Sequence, residues 1–448
     1  MAISSNRLKP AEYVVNFSDV HPPFEHPEGA VIEANRCINC YDAPCTKSCP
    51  TGIDVPLFIK QIASGNIKGS AKTILSANIM GGGCSKVCPV EKLCEGSCVF
   101  NLLDEKPIEI ARLQRYATEP AIAAKWPLFT RKPSNGKKVA VIGAGPAGLA
   151  CAHALSKEGV DVTVYEKEEK GGGLMTYGVA AYKVTPDFCK DEVDFITSIG
   201  GIKIEYNKAM GRDFTLGDLR AKYDAVFLAL GVGIARSLGI PGEGAAGVID
   251  ALSFIYQIRT RSFAEVAVGD RVAVIGMGMT AIDAATQARR LGAKEVTLIY
   301  RRTEAEKPCT QVELDLALLD GCRVIWLAAP KEVISTDGRV TQLVCSKMTL
   351  GDPDESGRRS PVDTGETFTI DVDMVIKAAG QVPFEDLLKN ENINLRHGKV
   401  IVDGAQATSL SAVFAGGDCV NGGREVVNAV QEGKDGAAAI LQHLGIQQ

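Results

Sequence analysis

The sequence predicts an α/β fold in which an all-helical N-terminal domain is followed by two Rossmann-like nucleotide-binding domains, the second inserted in the first. Residues 137–166 and residues 270–302 each follow a strand, glycine turn, helix and strand pattern, which is typical of dinucleotide binding. Eight of the fourteen cysteines lie ahead of both patterns, between Cys37 and Cys98. We therefore predict a helical domain over residues 1–130, a first nucleotide-binding domain over 131–250 and 374–448, and a second over 251–373.

The cysteines of the helical domain form two runs of four. The first run is CINCYDAPCTKSCP, with Cys37, Cys40, Cys45 and Cys49, and the second is CSKVCPVEKLCEGSC, with Cys84, Cys88, Cys94 and Cys98. In ferredoxin-type runs the cysteine before a proline ligates the neighbouring cluster. Cys49 and Cys88 are therefore predicted to share one iron–sulfur cluster, and the first three cysteines to belong to another. Two structural zinc sites are the alternative, because they also use C-x-x-C pairs; four cysteines in each run favour iron–sulfur.

The rest of the helical domain, from about Glu28 to Thr118, carries apolar residues at helical spacing, as in PLFIKQIASGNIKGSAKTILSANI. Helices joined by cysteine loops indicate a small domain that bound metal stabilises in place of a large core. The stretch AKWPLFTRKPSNGK, residues 124–137, is rich in proline and charge and is predicted to be a linker.

The first dinucleotide pattern is KKVAVIGAGPAGLACAHALSKEGVDVTVYE. Gly143 permits a tight turn, Gly145 lets the backbone approach a pyrophosphate, and Gly148 lets the helix pack closely on its strand. The helix N-terminus then faces the phosphates. Glu166 ends the next strand, where a carboxylate can accept hydrogen bonds from ribose hydroxyls.

The second pattern is DRVAVIGMGMTAIDAATQARRLGAKEVTLIYRR. Gly276 and Gly278 form the turn, and Ala281 takes the third glycine position. The strand Glu295–Tyr300 is followed by Arg301 and Arg302 in place of an acid. Arginines can pair with a 2′-phosphate, which favours NADPH over NADH. The alternative is that the two arginines are solvated surface charge.

Composition limits the class of partner. The chain of 448 residues has 46% hydrophobic and 23% charged residues, which is typical of a soluble globular protein. Its net charge of −5 argues against nucleic-acid binding. No signal peptide or membrane-spanning run is present, so we expect a cytoplasmic protein with no membrane partner. No nucleophile–histidine or paired-carboxylate arrangement stands out, so no catalytic side chain is predicted and the chemistry is assigned to cofactors.

The cysteine runs and the later segment PIEIARLQRYATE resemble the N-terminal iron–sulfur domain of dihydropyrimidine dehydrogenase, with the glutamate synthase small subunit as a more distant relative. The resemblance implies two [4Fe-4S] clusters. The implied ligands are Cys37, Cys40, Cys45 and Cys98 for the first cluster, and Cys49, Cys88, Cys94 and Gln114 for the second. Spacing alone favours Cys84 over Gln114, because thiolate is the usual ligand, so that choice stays open.

The resemblance extends to the nucleotide-binding domains. The loop GGGLMTYGVAAYKV is implied to cover the flavin, and AVFAGGDCVNGGREVVNAVQEGKDGAAAI resembles the closing flavin signature, with Asp418 at the end of a strand. The residues predicted to contact FAD are Gly143, Ala144, Gly145, Pro146, Ala147, Gly148, Glu166, Lys167, Gly173, Leu174, Lys183, Gly231, Gly417, Asp418, Glu425 and Val426. Those predicted to contact NAD(P) are Gly276, Gly278, Met279, Thr280, Ala281, Arg301, Arg302, Ala379 and Gly380.

The implied activity is that of an electron-input subunit, in which NAD(P)H reduces FAD and the clusters carry electrons to a partner. That partner would be the FMN and iron–sulfur subunit of dihydropyrimidine dehydrogenase, which reduces uracil or thymine, in a heterotetramer or larger complex. The first alternative is a glutamate synthase small subunit that serves a different partner. The second alternative is a zinc-bound scaffold without enzymatic activity.

Overall fold

A computed structural model describes residues 3–354, 357 and 359–447 of the chain. The chain forms two compact units. One comprises the N-terminal residues to Asp19, Tyr177–Tyr182 and Ala235–Gln381, and the other comprises the remaining segments. Each unit contains a parallel sheet flanked by helices, so the predicted α/β fold class is confirmed.

Short helices make up the N-terminal part of the chain. Side chains cap two of these helices: Asp54 accepts a hydrogen bond from the backbone of Leu57, and Asn66 accepts one from Gly69. Phe58, which is fully buried, belongs to the core of this region. The α-helices are Pro10–Asn16, Pro27–Arg36, Pro44–Lys47, Val55–Ala63, Ile67–Ala77, Gly81–Val87 and Ile110–Ala123, and the 3₁₀ helices are Val90–Lys92 and Val99–Leu103.

The larger unit contains a five-stranded parallel sheet. Its central strand is buried along almost its whole length, because helices cover both faces of the sheet. In spatial order the strands are Val413–Ala415, Ala225–Leu228, Lys138–Ile142, Asp161–Tyr165 and Ile202–Glu205. A two-stranded sheet joins Leu395–Arg396 to Lys399–Val400. The helices of this α/β region are Pro146–Lys157, Leu174–Tyr177, Pro186–Thr197, Leu216–Arg220, Glu385–Asn390, Asp418–Asn421 and Val426–His443.

The smaller unit contains a second five-stranded parallel sheet. Its strands, in spatial order, are Val248–Asp250, Met374–Lys377, Arg271–Ile275, Glu295–Tyr300 and Arg323–Trp326. Its helices are Ala251–Thr260, Met279–Arg290 and Gln311–Leu319, with 3₁₀ helices at Phe263–Glu265 and Glu304–Glu306. A short two-stranded sheet pairs Ile234–Ala235 with Gln381–Val382. The two ends of the segment 235–381 are adjacent, because the Arg236 amide donates a hydrogen bond to the Gly380 carbonyl at 3.0 Å.

A three-stranded antiparallel sheet in the smaller unit was not predicted. It consists of Ala328–Thr336, Arg339–Pro353 and Arg359–Asp371. The last of these strands is mostly exposed and rich in polar residues, so it lacks the apolar alternation that marks a strand in sequence. Cross-strand pairing and the burial of Leu343 and Cys345 hold this sheet together.

Across the described ranges, no helix combines the length and the apolar character that a membrane crossing requires.

Candidate functional site

The first dinucleotide turn lies between the strand Lys138–Ile142 and the helix Pro146–Lys157. Gly143 has φ +105°, and a Cβ there would collide with the carbonyl oxygen of Ala229. At Gly145 the nearest atom to an added Cβ is 3.9 Å away, so the backbone borders open space. A Cβ at Gly148 would strike the carbonyl oxygen of Gly143, and the helix therefore packs directly on the turn. These three environments fit the roles predicted for a pyrophosphate turn.

Glu166 directly follows the strand Asp161–Tyr165 and is only 5% exposed. One carboxylate oxygen accepts from the Ala144 amide at 2.7 Å, and the other accepts from the Glu168 amide at 2.9 Å. Burial raises the pKa of Glu166. Each carboxylate oxygen has a second lone pair. Glu166 therefore holds the glycine turn in place and still has acceptor capacity for ribose hydroxyls.

The glycine loop after Glu166 packs against the same turn. The Gly172 amide donates to the Ala144 carbonyl at 2.7 Å, and a Cβ on Gly173 would lie 2.9 Å from the Cα of Gly145. Leu174, at the start of the next short helix, is 39% exposed, whereas Lys183 is buried. The loop thus borders the turn at a distance that only glycine permits, as expected for a cover over a flat ligand.

The predicted closing signature approaches the first helix. The strand ends at Ala415, earlier than predicted, and Asp418 begins the short helix Asp418–Asn421 instead of ending a strand. A Cβ on Gly417 would lie 2.9 Å from that of Ala147 in the first helix. One oxygen of Asp418 accepts from the Arg424 amide at 3.3 Å, and burial raises the pKa of Asp418. Residues from the first dinucleotide turn, the glycine loop and the closing flavin signature therefore surround one region. The hydrogen-bonding groups and the glycine backbone of this region fit FAD.

The second dinucleotide turn repeats the geometry of the first. Gly276 has φ +133°, and a Cβ there would lie 2.5 Å from the carbonyl oxygen of Ala378, while Gly278 borders open space. Ala281, in the third glycine position, is fully buried in the helix Met279–Arg290. The predicted residues Ala379 and Gly380 directly follow Ala378. The second dinucleotide turn therefore contacts the segment that follows the strand Met374–Lys377. The first dinucleotide turn contacts Ala229, after the strand Ala225–Leu228, in the same way.

The two arginines after the strand Glu295–Tyr300 differ in environment. Arg301 is exposed, whereas Arg302 is buried and its Nε donates to the Arg359 carbonyl at 3.1 Å. Arg301 is therefore the better placed of the two to meet a 2′-phosphate.

We expect Arg301→Ala to raise the KM for NADPH by a factor of about 10 to 150, because a hydrogen bond to a charged group contributes about 1.5–3 kcal/mol. The KM for NADH should hardly change, since NADH lacks the 2′-phosphate. Steady-state reduction of an artificial dye measures both constants. Arg396→Ala, an exposed arginine in the other unit, is the control; an equal loss with both nucleotides would contradict the prediction.

The first group of predicted cluster ligands lines one cavity. Cys37, Cys40, Cys45 and Cys98 face it together with apolar residues that include Val55, Phe100 and Ile110. The pKa of Cys45 is raised to about 11, chiefly by burial and to a smaller extent by the neighbouring thiols of Cys37 and Cys98. Four thiolates in this cavity would repel one another, so the donor set fits a cationic iron core that compensates their charge.

The second group lines a separate cavity. Its lining includes Cys49, Cys84, Cys88, Cys94 and Gln114. The pKa of Cys88 is raised, first by a hydrogen bond with Cys84, then by burial and by the neighbouring thiols of Cys94 and Cys49. The structure thus brings together the predicted ligands of each cluster and keeps the two groups apart. Within the ranges that the structure describes, no three His, Cys, Asp or Glu side chains form a single-ion site.

Gln114 and Cys84 are both buried at this second cavity. The Gln114 Nε2 donates to the Gly81 carbonyl at 2.6 Å. The amide nitrogen is therefore engaged, and the side-chain oxygen is the atom left for the iron ligation that the resemblance implies. Cys84 lies close enough to Cys88 to raise the pKa of the Cys88 thiol.

We expect Gln114→Ala to lose the second cluster and about half of the iron of the protein, since four of eight iron atoms would belong to that cluster in a chain with the two [4Fe-4S] clusters that the resemblance implies. Cys84→Ala should keep both clusters. Iron analysis and low-temperature EPR of the two variants measure the outcome. The reverse result, with iron lost only from Cys84→Ala, would assign the ligand to Cys84.

Sequence reasoning missed Glu192, which is 1% exposed in the helix Pro186–Thr197. Its Oε1 accepts from the Gly83 amide at 2.7 Å, directly before Cys84, and a Cβ on Gly83 would lie 2.8 Å from the Met175 side chain. Glu192 therefore connects the helix Gly81–Val87, which contains Cys84, to the helix Pro186–Thr197. Burial raises the pKa of Glu192 to about 7.

We expect the thermal stability of the wild-type protein to fall as pH rises from about 4.5 to 7, because a carboxyl with a raised folded pKa stabilises the folded state only while it is protonated. The full effect is on the order of 3 kcal/mol. In Glu192→Gln this part of the slope should disappear. Melting temperature as a function of pH measures it, with Asp187→Asn on an exposed turn of the same helix as control. A Glu192→Gln profile that parallels the wild type would contradict the prediction.

Comparisons with known proteins agree with this arrangement. A family model described as pyridine nucleotide-disulphide oxidoreductase matches residues 137–433. A second model, described as dihydropyrimidine dehydrogenase domain II, 4Fe-4S cluster, matches residues 13–126. The two matches correspond to the nucleotide-binding part and the cysteine-rich part of the chain.

Two relatives are similar to this chain over at least 90% of its length. The chain is 34% identical over 452 residues to the glutamate synthase [NADPH] small chain of Escherichia coli K12, covering 96% of this chain and 95% of that protein. It is 35% identical over 428 residues to the NADP(+)-dependent formate dehydrogenase subunit beta of Moorella thermoacetica, covering 90% of this chain and 60% of that protein. Among solved structures, FprA of Mycobacterium tuberculosis in complex with NADPH is similar in fold, with a TM-score of 0.59, 22% identity, and coverage of 70% of this chain and 85% of that one.

Proposed function

Because this chain belongs to the pyridine nucleotide-disulphide oxidoreductase family and carries an N-terminal 4Fe-4S domain, we propose that it is an electron-input subunit. In this proposal it oxidises NAD(P)H at FAD and delivers electrons through two [4Fe-4S] clusters to a partner. Bound FAD supplies the exchange between a two-electron hydride and single electrons, and the clusters supply one-electron transport. The residues of the chain place these groups and shield them from water.

One observation carries the proposal. Val427, in the first turn of the helix Val426–His443, lines the second cysteine cavity. The two residues before it, Glu425 and Val426, are predicted flavin contacts. The described residues that line the first cavity, by contrast, all lie between Cys37 and Ile110. These positions support an order of transfer from the flavin region to the second cavity, then to the first cavity and on to the partner.

The helix Val426–His443 also has an electrostatic role in this proposal. Its N-terminal end carries partial positive charge from the aligned dipoles of its backbone. That charge would stabilise negative charge on a reduced flavin held near Glu425 and Val426, the predicted flavin contacts at this end of the helix. A tight carbonyl contact also limits movement here, because a Cβ on Gly433 would collide with Ala147 of the first helix. The two helices therefore hold the flavin region rigidly.

For the partner we propose an FMN and iron–sulfur subunit that reduces uracil or thymine to the 5,6-dihydropyrimidine. The two cysteine runs and the match to the dihydropyrimidine dehydrogenase domain support this choice. The acid that protonates the pyrimidine would then belong to the partner, in a heterotetramer or larger complex.

A second candidate is a glutamate synthase small chain. Similarity over 96% of this chain and 95% of the E. coli protein favours it. Both candidates use the same input module and differ in the partner that accepts the electrons.

The deciding experiment isolates the chain with its partner from native cells. The complex is then assayed for NAD(P)H oxidation that depends either on uracil or on glutamine with 2-oxoglutarate. We expect uracil-dependent oxidation by the complex, and reduction of artificial dyes alone by the isolated chain. Oxidation that depends on glutamine and 2-oxoglutarate would select the second candidate, and uracil reduction by the isolated chain would overturn the input role.

A further inference from the structure

The side-chain amide of Asn78, at the second cysteine cavity, is hydrogen-bonded at its oxygen but not at its nitrogen among the described residues. Asn78 is fully buried and lines this cavity with the cysteines. Its Oδ1 accepts from the Met80 amide at 3.0 Å. Its Nδ2 has no hydrogen-bond partner among the described residues. Buried polar groups are nearly always paired, so an unpaired amide donor at a cavity needs an explanation.

The backbone around Asn78 is held firmly. Its amide donates to the Ile74 carbonyl at 2.9 Å, and its carbonyl accepts from the Gly81 amide at 2.9 Å. Lys434 Nζ donates to the neighbouring Ala77 carbonyl at 2.7 Å. With the backbone and Oδ1 both engaged, the side chain is fixed in one orientation and the donor cannot turn away to solvent.

The acceptors that a loaded cavity would offer are sulfur atoms. We propose that Asn78 donates a hydrogen bond from Nδ2 to a sulfur of the second iron–sulfur cluster and thereby raises the reduction potential of that cluster. This inference rests on the part of the proposed function that places a cluster in the second cavity.

A donor hydrogen bond stabilises the reduced state more than the oxidised state, because reduction adds negative charge to the cluster. Gln114 and Asn78 have complementary roles at this cavity. Gln114 binds Gly81 through its nitrogen and has its oxygen left for metal, whereas Asn78 binds Met80 through its oxygen and has its nitrogen left for sulfur.

The first test compares midpoint potentials of the isolated chain in redox titrations followed by EPR. Asn78→Leu, which keeps the shape of the side chain, and Asn78→Ala should both shift the second cluster to more negative potential and leave the first cluster unchanged. Asn66→Ala is the matched control, because Asn66 caps the opposite, exposed end of the same helix, Ile67–Ala77. Unchanged potentials in both Asn78 variants would overturn the proposal.

The second test uses the wild-type chain, so it does not depend on the folding of a variant. Asparagine labelled with ¹⁵N at the side-chain amide should give a hyperfine coupling to the reduced second cluster in pulsed EPR. The absence of that coupling, or of a cluster in this cavity, would overturn the proposal. Chemical reduction replaces NAD(P)H and the partner in both tests, so failure of the hydrogen bond is distinguishable from failure of the electron-input role.

Discussion

Gly143→Ala should abolish FAD binding and, with it, dye reduction by NAD(P)H. A residue with a Cβ at φ +105° is disfavoured by about 1–2 kcal/mol. The added Cβ would also collide with the Ala229 carbonyl. Relief of this collision requires movement of the predicted pyrophosphate turn. We therefore expect the substitution to weaken cofactor binding more than it lowers the stability of the fold. Flavin absorbance of the purified protein and its dye reductase activity measure the effect.

Gly136→Ala separates the effect of backbone strain from the effect of the collision with the Ala229 carbonyl. Gly136 also has a left-handed conformation, with φ +77°, but a Cβ there meets nothing within 4 Å. This variant should keep its full flavin content, although its backbone is strained in the same sense. If Gly143→Ala purified with as much flavin as Gly136→Ala, the close approach of Ala229 would have no functional role.

Cys45→Ser and Cys94→Ser should each remove one cluster and leave the other in place. The two cavities share no cysteine, so each variant should keep about half of the wild-type iron. Electron delivery to the partner should fall to background in both variants, because each interrupts the proposed path. Dye reduction at the flavin should remain, since neither substitution touches a dinucleotide turn. Iron analysis, EPR and the two activity assays measure the outcome.

The control for these variants is Cys151→Ser. Cys151 is fully buried in the helix Pro146–Lys157, away from both cavities, and its replacement should keep all of the iron. Loss of both clusters from either Cys45→Ser or Cys94→Ser would show that the clusters assemble together, contrary to the prediction.

The two dinucleotide turns could be predicted from sequence because their requirements are local. Gly143 and Gly276 each need a positive φ within a few residues of a buried strand, and this need is visible in a short stretch of sequence. The helical N-terminal region was also predictable, since its apolar spacing and its cysteine runs are both short-range patterns. The grouping of Cys98 with the first run depended on the resemblance, because spacing alone leaves that pairing open.

The features that were missed depend on contacts between distant residues. Asn78 and Glu192 carry no recognisable pattern, and their environments arise only when the chain folds. Glu192, for example, meets Gly83, which is 109 residues away in sequence. Arg301 and Arg302 are neighbours in sequence and were assigned one role, but the Arg359 carbonyl holds Arg302 in a buried position. The polar antiparallel sheet was missed because its last strand, Arg359–Asp371, is mostly exposed and lacks apolar alternation.

The adjacent ends of the segment 235–381 have a consequence for how such proteins are built. One hydrogen bond spans the gap between Arg236 and Gly380, so a linker of a few residues could replace the whole nicotinamide-binding insert. In such a shortened chain the N-terminal residues to Asp19 and Tyr177–Tyr182 would lose the rest of their compact unit, and the proposed flavin and cluster regions would accept electrons only from artificial donors. Conversely, an ancestral flavoprotein could acquire or exchange the insert without rearrangement of its own sheet. In the proposed electron-input subunit, the segment 235–381 would therefore determine the coenzyme preference and could be replaced as a unit.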